Sequence, residues 1–471
     1  MGHLNPSSSC YVIIEIFFNM LQYQNQLGVE AGFESEPSVP ECSDKEQEKS
    51  SDTPSATISY PPPKSPFPDG GLSAWLVVLG AWACFFSSYG FVTSIGVFQD
   101  YYEANFLHKY TPSEISWILS IQAFFVSASA PFAGVFFDRH GPHLLVGLGS
   151  ALIILGLFTL SASTQYYQIF LSQSVSCGLG MGMIFHGSVN SVSTWFLKRR
   201  GLALGIASSG SGVGGVILPI FFDRLVERIG FPWTVRAMGF LILGIQIIAI
   251  LTVRSRLDHK PKPFNLANFS RPFKDRAFVL NSLACLAGML GTLIPFNYLK
   301  VSAQAANVSP NLATYLLPII NASSIIGRIV PLWAGDHVGA FNTITALMLY
   351  GAILVLALWI PAAANTNAII AFTALFGLPL GCFNAVIPAL VGKISAIEEI
   401  GFRVGTTFFM VSIAALIGNP IAGLLIGKGW TEGAESYHGL KLFCGLSIAV
   451  SGLLFLVTRI QIGGYGFNKK I

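Results

Sequence analysis

From Gly71 onward the chain is a succession of apolar stretches, each about as long as a lipid bilayer is thick. A hydrocarbon core of about 30 Å takes roughly 20 residues of helix. That window predicts twelve spans, near residues 72–98, 114–137, 142–162, 166–189, 201–222, 234–253, 278–299, 312–334, 340–363, 366–391, 404–427 and 438–458. Inside lipid every backbone N–H and C=O must be satisfied within the protein, so spans of this length fold as helices. Composition agrees: 11% of the 471 residues are charged, against about a quarter in a soluble domain. That is too little polar surface to cover a water-soluble particle of this size. The expected fold class is an all-α membrane protein of twelve transmembrane helices.

Residues 1–66 differ sharply, being rich in Ser, Pro, Glu and Gln, and read as a disordered cytosolic tail. The apolar run Tyr11–Met20 is short, is interrupted by Glu15 and lacks a basic flank, so it is no signal peptide; it is a short interfacial helix or an extension outside the mature protein. Gly2 does not begin a myristoylation motif, because Pro6 stands where Ser or Thr is needed. The longest later gap, Arg254–Arg276, separates an N-terminal six-helix half (67–253) from a C-terminal one (278–459), with a cytosolic central loop at 254–277 and a short cytosolic tail at 460–471.

Orientation follows from the basic residues of the loops. With the N-terminus inside, fourteen Lys and Arg fall on the cytosolic side, among them Arg139, Lys198, Arg199 and Lys262; seven fall outside, including Lys300 and Lys441. Both termini are then cytosolic in a multi-pass protein of the cell membrane, and Asn307 (NVS) is the one glycosylation site exposed outside. The net charge of +4 is small and argues against a nucleic-acid partner. Seven scattered cysteines show neither a disulfide framework nor a zinc spacing. No cofactor or metal is expected.

The two halves repeat a turn. GVFFDRHG carries Asp138, Arg139 and Gly141 after the second span; AGDHVG carries Asp336 and Gly339 after the eighth. Two six-helix halves with cargo between them are the plan of major facilitator transporters, in which an acidic residue at a helix end latches neighbouring helices in one state. The bland alternative is a tight turn with a topology-setting charge.

PDGGLSAW (Asp69, Gly70, Gly71, Trp75) opens span 1, and WFLKRRGLALGIASSGSGVGG (Trp195–Gly215, with Lys198 and Arg199) opens span 5. Both resemble signatures of the monocarboxylate porter family. SIGVF at Ser94–Phe98 and NASSIIGR at Asn321–Arg328 are most similar to its fungal branch. The resemblance covers about 66–460 and implies a major facilitator fold, transport rather than chemistry, and small organic cargo such as carboxylates, riboflavin or secondary metabolites. Two positions depart from proton-coupled members: Thr93 stands where they carry a lysine, and Ser324 stands where an acid precedes Arg328 by four residues. Their proton relay therefore does not carry over, although a co-transported proton stays among the partners considered, with the solute and the bilayer.

Arg328 is read as the one formal charge well inside a span. It faces a water-filled cavity and a cargo anion, or it snorkels or pairs with Asp336. Tyr89, Thr93, His186, Asn190, Asn297, Asn321 and Asn384 are further cavity candidates, each with an interhelical hydrogen bond as the alternative. His186, one turn before Asn190, either titrates in a proton-coupled cycle or is a satisfied buried histidine. The glycines at 210–215 and 178–182 are read as close-packing positions rather than a nucleotide loop. No acid pair, His-rich cluster or Ser-His-Asp set lies near one depth, which disfavours an enzyme. The expected function is a secondary transporter for a small organic, anionic or amphipathic solute, exporting a metabolite; the alternatives are an uptake carrier for a monocarboxylate or riboflavin-like nutrient and a transport-dead sensor on the same fold.

Overall fold

The computed structural model describes residues 68–256, 271–362, 365–395, 399–426 and 433–464. The tail expected at 1–66, most of the central loop (257–270) and the C-terminal residues 465–471 lie outside the described residues. Every regular element among the described residues is helical. Ten long apolar helices carry the chain: α1 (Leu72–Phe106), α2 (Glu114–Leu160), α3 (Tyr166–Trp195), α4 (Arg200–Thr252), α5 (Arg276–Ala305), α6 (Pro310–Val338), α7 (Ala340–Trp359), α8 (Thr366–Lys393), α9 (Gly401–Leu424) and α10 (Glu435–Gly463).

Hydropathy marks twelve spans; in the structure two neighbouring pairs run together, α2 and α4 each holding two helical arms joined across one non-helical residue. The 47 residues of α2 and 53 of α4 are each long enough for two crossings. α2 turns at Gly141 (φ 76°) and α4 at Gly230 (φ 74°). A left-handed backbone suits glycine, and Pro142 and Pro232 just beyond begin a new arm where a missing N–H costs nothing. The connectors expected after the second and fifth spans are thus single-residue breaks. Asp138 and Arg139 occupy the last helical turn before Gly141 rather than an open loop.

α1 is interrupted instead. Ser88 departs from helical geometry (φ −98°, ψ −88°), and the helix pauses again at Thr93 and Ser94. The hydroxyls of Ser88, Thr93 and Ser94 donate to the carbonyls of Cys84 (2.7 Å), Gly90 (3.1 Å) and Phe91 (2.7 Å). These side-chain bonds to carbonyls of the preceding turn accompany the break, the carbonyls of Cys84 and Phe91 accepting a backbone N–H as well. This irregular stretch presents Tyr89 and Thr93.

Glycines set the distances between helices, as expected at 178–182 and 210–215. A Cβ at Gly180 would come 2.6 Å from the carbonyl oxygen of Gly149, and one at Gly149 2.8 Å from that of Gly180, so α2 and α3 touch backbone to backbone. In the 210–215 run, Gly210 and Gly214 press on Trp82 and Phe86 of α1, whereas Gly212 and Gly215 press on Ile325 and Asn321 of α6. One run of glycines therefore serves a contact within the N-terminal half (α1–α4) and a contact with the C-terminal half (α5–α10). Cys84, Cys177, Cys285, Cys382 and Cys444 are buried and free.

Candidate functional site: the interface between the halves

The two signature segments meet in space. Asp69 (φ 51°) and Gly71 (φ 91°) turn the chain just before α1. The turn aims the Asp69 carboxylate at the start of α4, where its Oδ1 accepts from the backbone N–H of Leu197 (2.7 Å), Lys198 (2.7 Å) and Arg199 (3.3 Å). Trp75 packs edge-on against Phe196 at 5.3 Å. The aspartate thus gathers three consecutive N–H groups of the short connector that leads into α4. Removing them as a set should cost about 1–2 kcal/mol. Asp69→Ala is expected to lower the melting temperature of purified protein by a few degrees without changing which solutes it carries. An unchanged melting temperature would count against this capping role.

Asp336 makes the matching contact between halves. Its Oδ1 accepts from Gly201 N–H (3.0 Å) and its Oδ2 from Leu202 N–H (2.9 Å), so an acid at the end of α6 caps α4. Gly339 follows with φ 112°, repeating Gly141 at the corresponding turn of the first half. At this end, here called the motif end, two seams join the halves. Along α4–α6, a Cβ at Gly205 would stand 2.6 Å from the Arg328 carbonyl and one at Gly212 2.6 Å from Ile325 Cγ1. Along α2–α9, a Cβ at Gly405 would lie 3.2 Å from Pro131 Cα. At the opposite end an ion pair between Asp100 of α1 and Lys300 of α5 crosses between the halves.

Between the two ends lies a cavity. A narrow cleft of about 40 Å³ is lined from the N-terminal half by Tyr89, Thr93, Leu119 and Ser127 and from the C-terminal half by Phe296, Asn297, Asn384 and Asn419. Leu119, Asn297 and Asn419 also line a larger cavity of about 270 Å³ that reaches Gln99 and Ile426, toward the end holding Asp100 and Lys300. Tyr89 Oη lies 3.3 Å from Ser127 Oγ. Asn384 Nδ2 donates to Leu380 O (3.2 Å), and Tyr298 Oη donates to the Asn419 carbonyl (3.1 Å). No formally charged side chain is among the residues lining either space.

Of the residues singled out from sequence, Tyr89, Thr93, Asn297 and Asn384 therefore meet at one place. Asn321 instead bridges the α4–α6 seam, its Nδ2 donating to Gly215 O (3.3 Å) and Leu317 O (3.1 Å). His186 is buried with Nε2 3.2 Å from Val126 O and its ring 5.0 Å from that of Phe408 on α9. Neither His186 nor Asn190 lines the cavity. Arg328 is 1% exposed, so it does not snorkel in this conformation, and Asp336 is engaged elsewhere. It also stands outside the cavity lining. Its Nη1 donates to Ser324 Oγ, while its Nε, shut from solvent, finds no partner among the described residues. Nor is it the one charge within the spans: Lys441 and Arg459 are 2% and 1% exposed. Lys441, expected in an outer loop, lies inside α10 with its Nζ donating to Trp359 O at 3.3 Å, and Arg459 Nε donates to Asn342 Oδ1 at 2.8 Å.

Asn419 escaped the sequence reading. The available signal was an Asn directly before Pro420 inside an otherwise apolar span, a place where a polar side chain needs a reason.

The family model of the Major Facilitator Superfamily matches residues 77–369. The chain belongs to that superfamily. It is similar to an MFS-type transporter of Ophiocordyceps sp. (41% identity; 91% of this chain, 93% of the relative) and to the fujikurins efflux protein of Gibberella fujikuroi (40%; 83% and 84%). It is also similar to a riboflavin transporter of Saccharomyces cerevisiae (32%; 85% and 80%). Among solved structures, the peptide transporter POT in complex with sulfate shares the fold, with a TM-score of 0.64 at 15% identity, covering 84% of this chain and 97% of that one. This facilitator is thus a multi-pass membrane transporter of small-molecule solutes rather than an enzyme, with fungal transporters among its relatives.

Proposed function

We propose that the protein exports a small organic metabolite across the plasma membrane by alternating access, crossing the bilayer twelve times with both termini in the cytosol. The observation that carries this reading is a cavity lined by both halves while the motif end of their interface is sealed by glycine seams and the Asp336 cap. On this topology the motif end is cytosolic and Asn307, exposed between α5 and α6, faces outward as a glycosylation site. The fungal relative named an efflux protein supports export. The relative named a riboflavin transporter favours nutrient uptake as the second reading. The signature segments support the monocarboxylate porter branch.

In this reading Thr93, Tyr89, Asn297 and Asn384 contact cargo, and Asp336 latches the sealed state. Losing a cap of two N–H groups weakens that state by about 1–2 kcal/mol, which shifts its population five- to thirty-fold. Asp336→Ala should therefore change turnover in reconstituted vesicles by about tenfold while leaving cargo affinity near wild type. Equal maximal rates for Asp336→Ala and wild type would remove the latch. Net flux of solute into such vesicles, with and without a protonophore, tests the carrier and its dependence on a proton gradient; a protein that binds solute without flux would be a sensor.

A further inference from the structure

We infer that the cavity recognises a neutral cargo through an amide-type edge, an N–H beside a C=O, and that Asn419 is the residue that reads it. This rests on the carrier reading above and names the chemistry of its cargo.

Three helices of the C-terminal half each place an asparagine in the cavity lining: Asn297 from α5, Asn384 from α8 and Asn419 from α9. Asn419 is 6% exposed, and its Oδ1, shut from solvent, accepts from no described residue. Its structural bond runs through the main chain, where Tyr298 donates to the Asn419 carbonyl, so the side chain is left for something else. Buried polar groups in native proteins find partners, and an unpaired one on a cavity-lining residue points to a ligand that supplies the partner once the amide turns toward it on binding.

A carboxamide presents one acceptor and two donors side by side. Its complement is another amide edge, which gives and takes one hydrogen bond with the same group. A carboxylate is a poor match, because it offers acceptors alone and would face the unpaired Oδ1. It would also need a cation, and neither lining holds one. Arg328, on the α6 side of the seam, is packed behind Gly212 instead. The apolar walls supplied by Leu119, Phe296 and Met289 take the rest of an amphipathic molecule. A site built to hydrogen-bond a donor rejects the analogue that lacks it far more strongly than an apolar pocket rejects an extra methyl.

Three probes of nearly equal size separate the chemistries. 2-Quinolone carries the neutral amide edge, N-methyl-2-quinolone lacks its donor, and 2-naphthoate is an anion of the same shape. Binding of each radiolabelled probe to the purified full chain in nanodiscs should rank 2-quinolone first, with at least a tenfold loss on N-methylation. Asn419→Leu, which keeps the branched outline but removes the polar atoms, should weaken 2-quinolone about tenfold and leave the N-methyl compound unchanged, collapsing the difference between them. If Asn419→Leu does not yield monodisperse protein, Asn419→Ala is read in the same way. Preference for 2-naphthoate, no binding of 2-quinolone at millimolar concentration, or equal loss of all probes in the variant would overturn the inference. Binding that follows this pattern without flux into vesicles would fail the carrier reading and uphold the recognition.

Discussion

Gly205→Val is expected to break the sealed interface at the motif end without unfolding either half. The Cβ that valine adds would stand 2.6 Å from the Arg328 carbonyl oxygen and 3.3 Å from Ile329 Cα, both backbone atoms of the opposite half that no rotamer change can move aside. Overpacking of this kind costs about 1–3 kcal/mol, and here the strain is relieved when α4 and α6 separate. Ser208, 2% exposed and one turn further along the same face as Gly205, reports the separation. A cysteine placed at Ser208, in a background without the native cysteines, should react with a thiol reagent at least tenfold faster in the Gly205→Val protein. Gly210→Val provides the contrast. Its Cβ would meet the Trp82 carbonyl at 2.2 Å, inside the N-terminal half, where no domain movement relieves it. That variant should lose folded yield instead. If the two substitutions have the same consequence, the α4–α6 seam is not a separable interface.

Arg328→Gln is expected to hold the protein in the sealed conformation, raising its melting temperature by several degrees while slowing turnover at least tenfold. A guanidinium 1% exposed, with Ser324 as its hydrogen-bond partner and Nε unpaired, burdens the sealed state with a desolvation cost of several kcal/mol. Opening the seam would hydrate that charge, so Arg328 biases the equilibrium toward opening, and removing the charge removes the bias. Arg328→Lys keeps the charge and should keep partial transport. A rate equal to wild type, or a lower melting temperature, would sink this role. Loss of affinity for an anionic solute with turnover intact would return Arg328 to the cargo site, the place its chemistry first suggested.

Much of the architecture was legible because it is local. A span of about 20 apolar residues must become a helix wherever it sits in the bilayer, since lipid offers its backbone no partner. Gly141 and Gly339 could be matched as repeated turns because the left-handed backbone they adopt is a property of the residue itself. The same locality misled at two places. A Gly with a Pro just beyond it looks like a loop in a hydropathy window, yet at Gly141 and Gly230 a single non-helical residue joins two helical arms. Lys441 looked like a loop charge from its place at the edge of a span, but the start of α10 is buried against Trp359.

What decided the candidate site is facing and distance, which no window along the chain contains. Asp69 reaches residues 128 to 130 positions away, and Asp336 reaches residues 134 and 135 positions away. Asn297, Asn321 and Asn384 were indistinguishable as asparagines in apolar helices; packing turned one onto the α4–α6 seam and the other two into the cavity. The same packing carried Arg328 out of the lining and brought Asn419 into it. A bundle of membrane helices can be read along the chain, because the solvent that a segment meets is settled by its own composition. Which polar groups face one another across the halves is set by packing, because the rotation of each helix depends on the glycines and side chains of its neighbours.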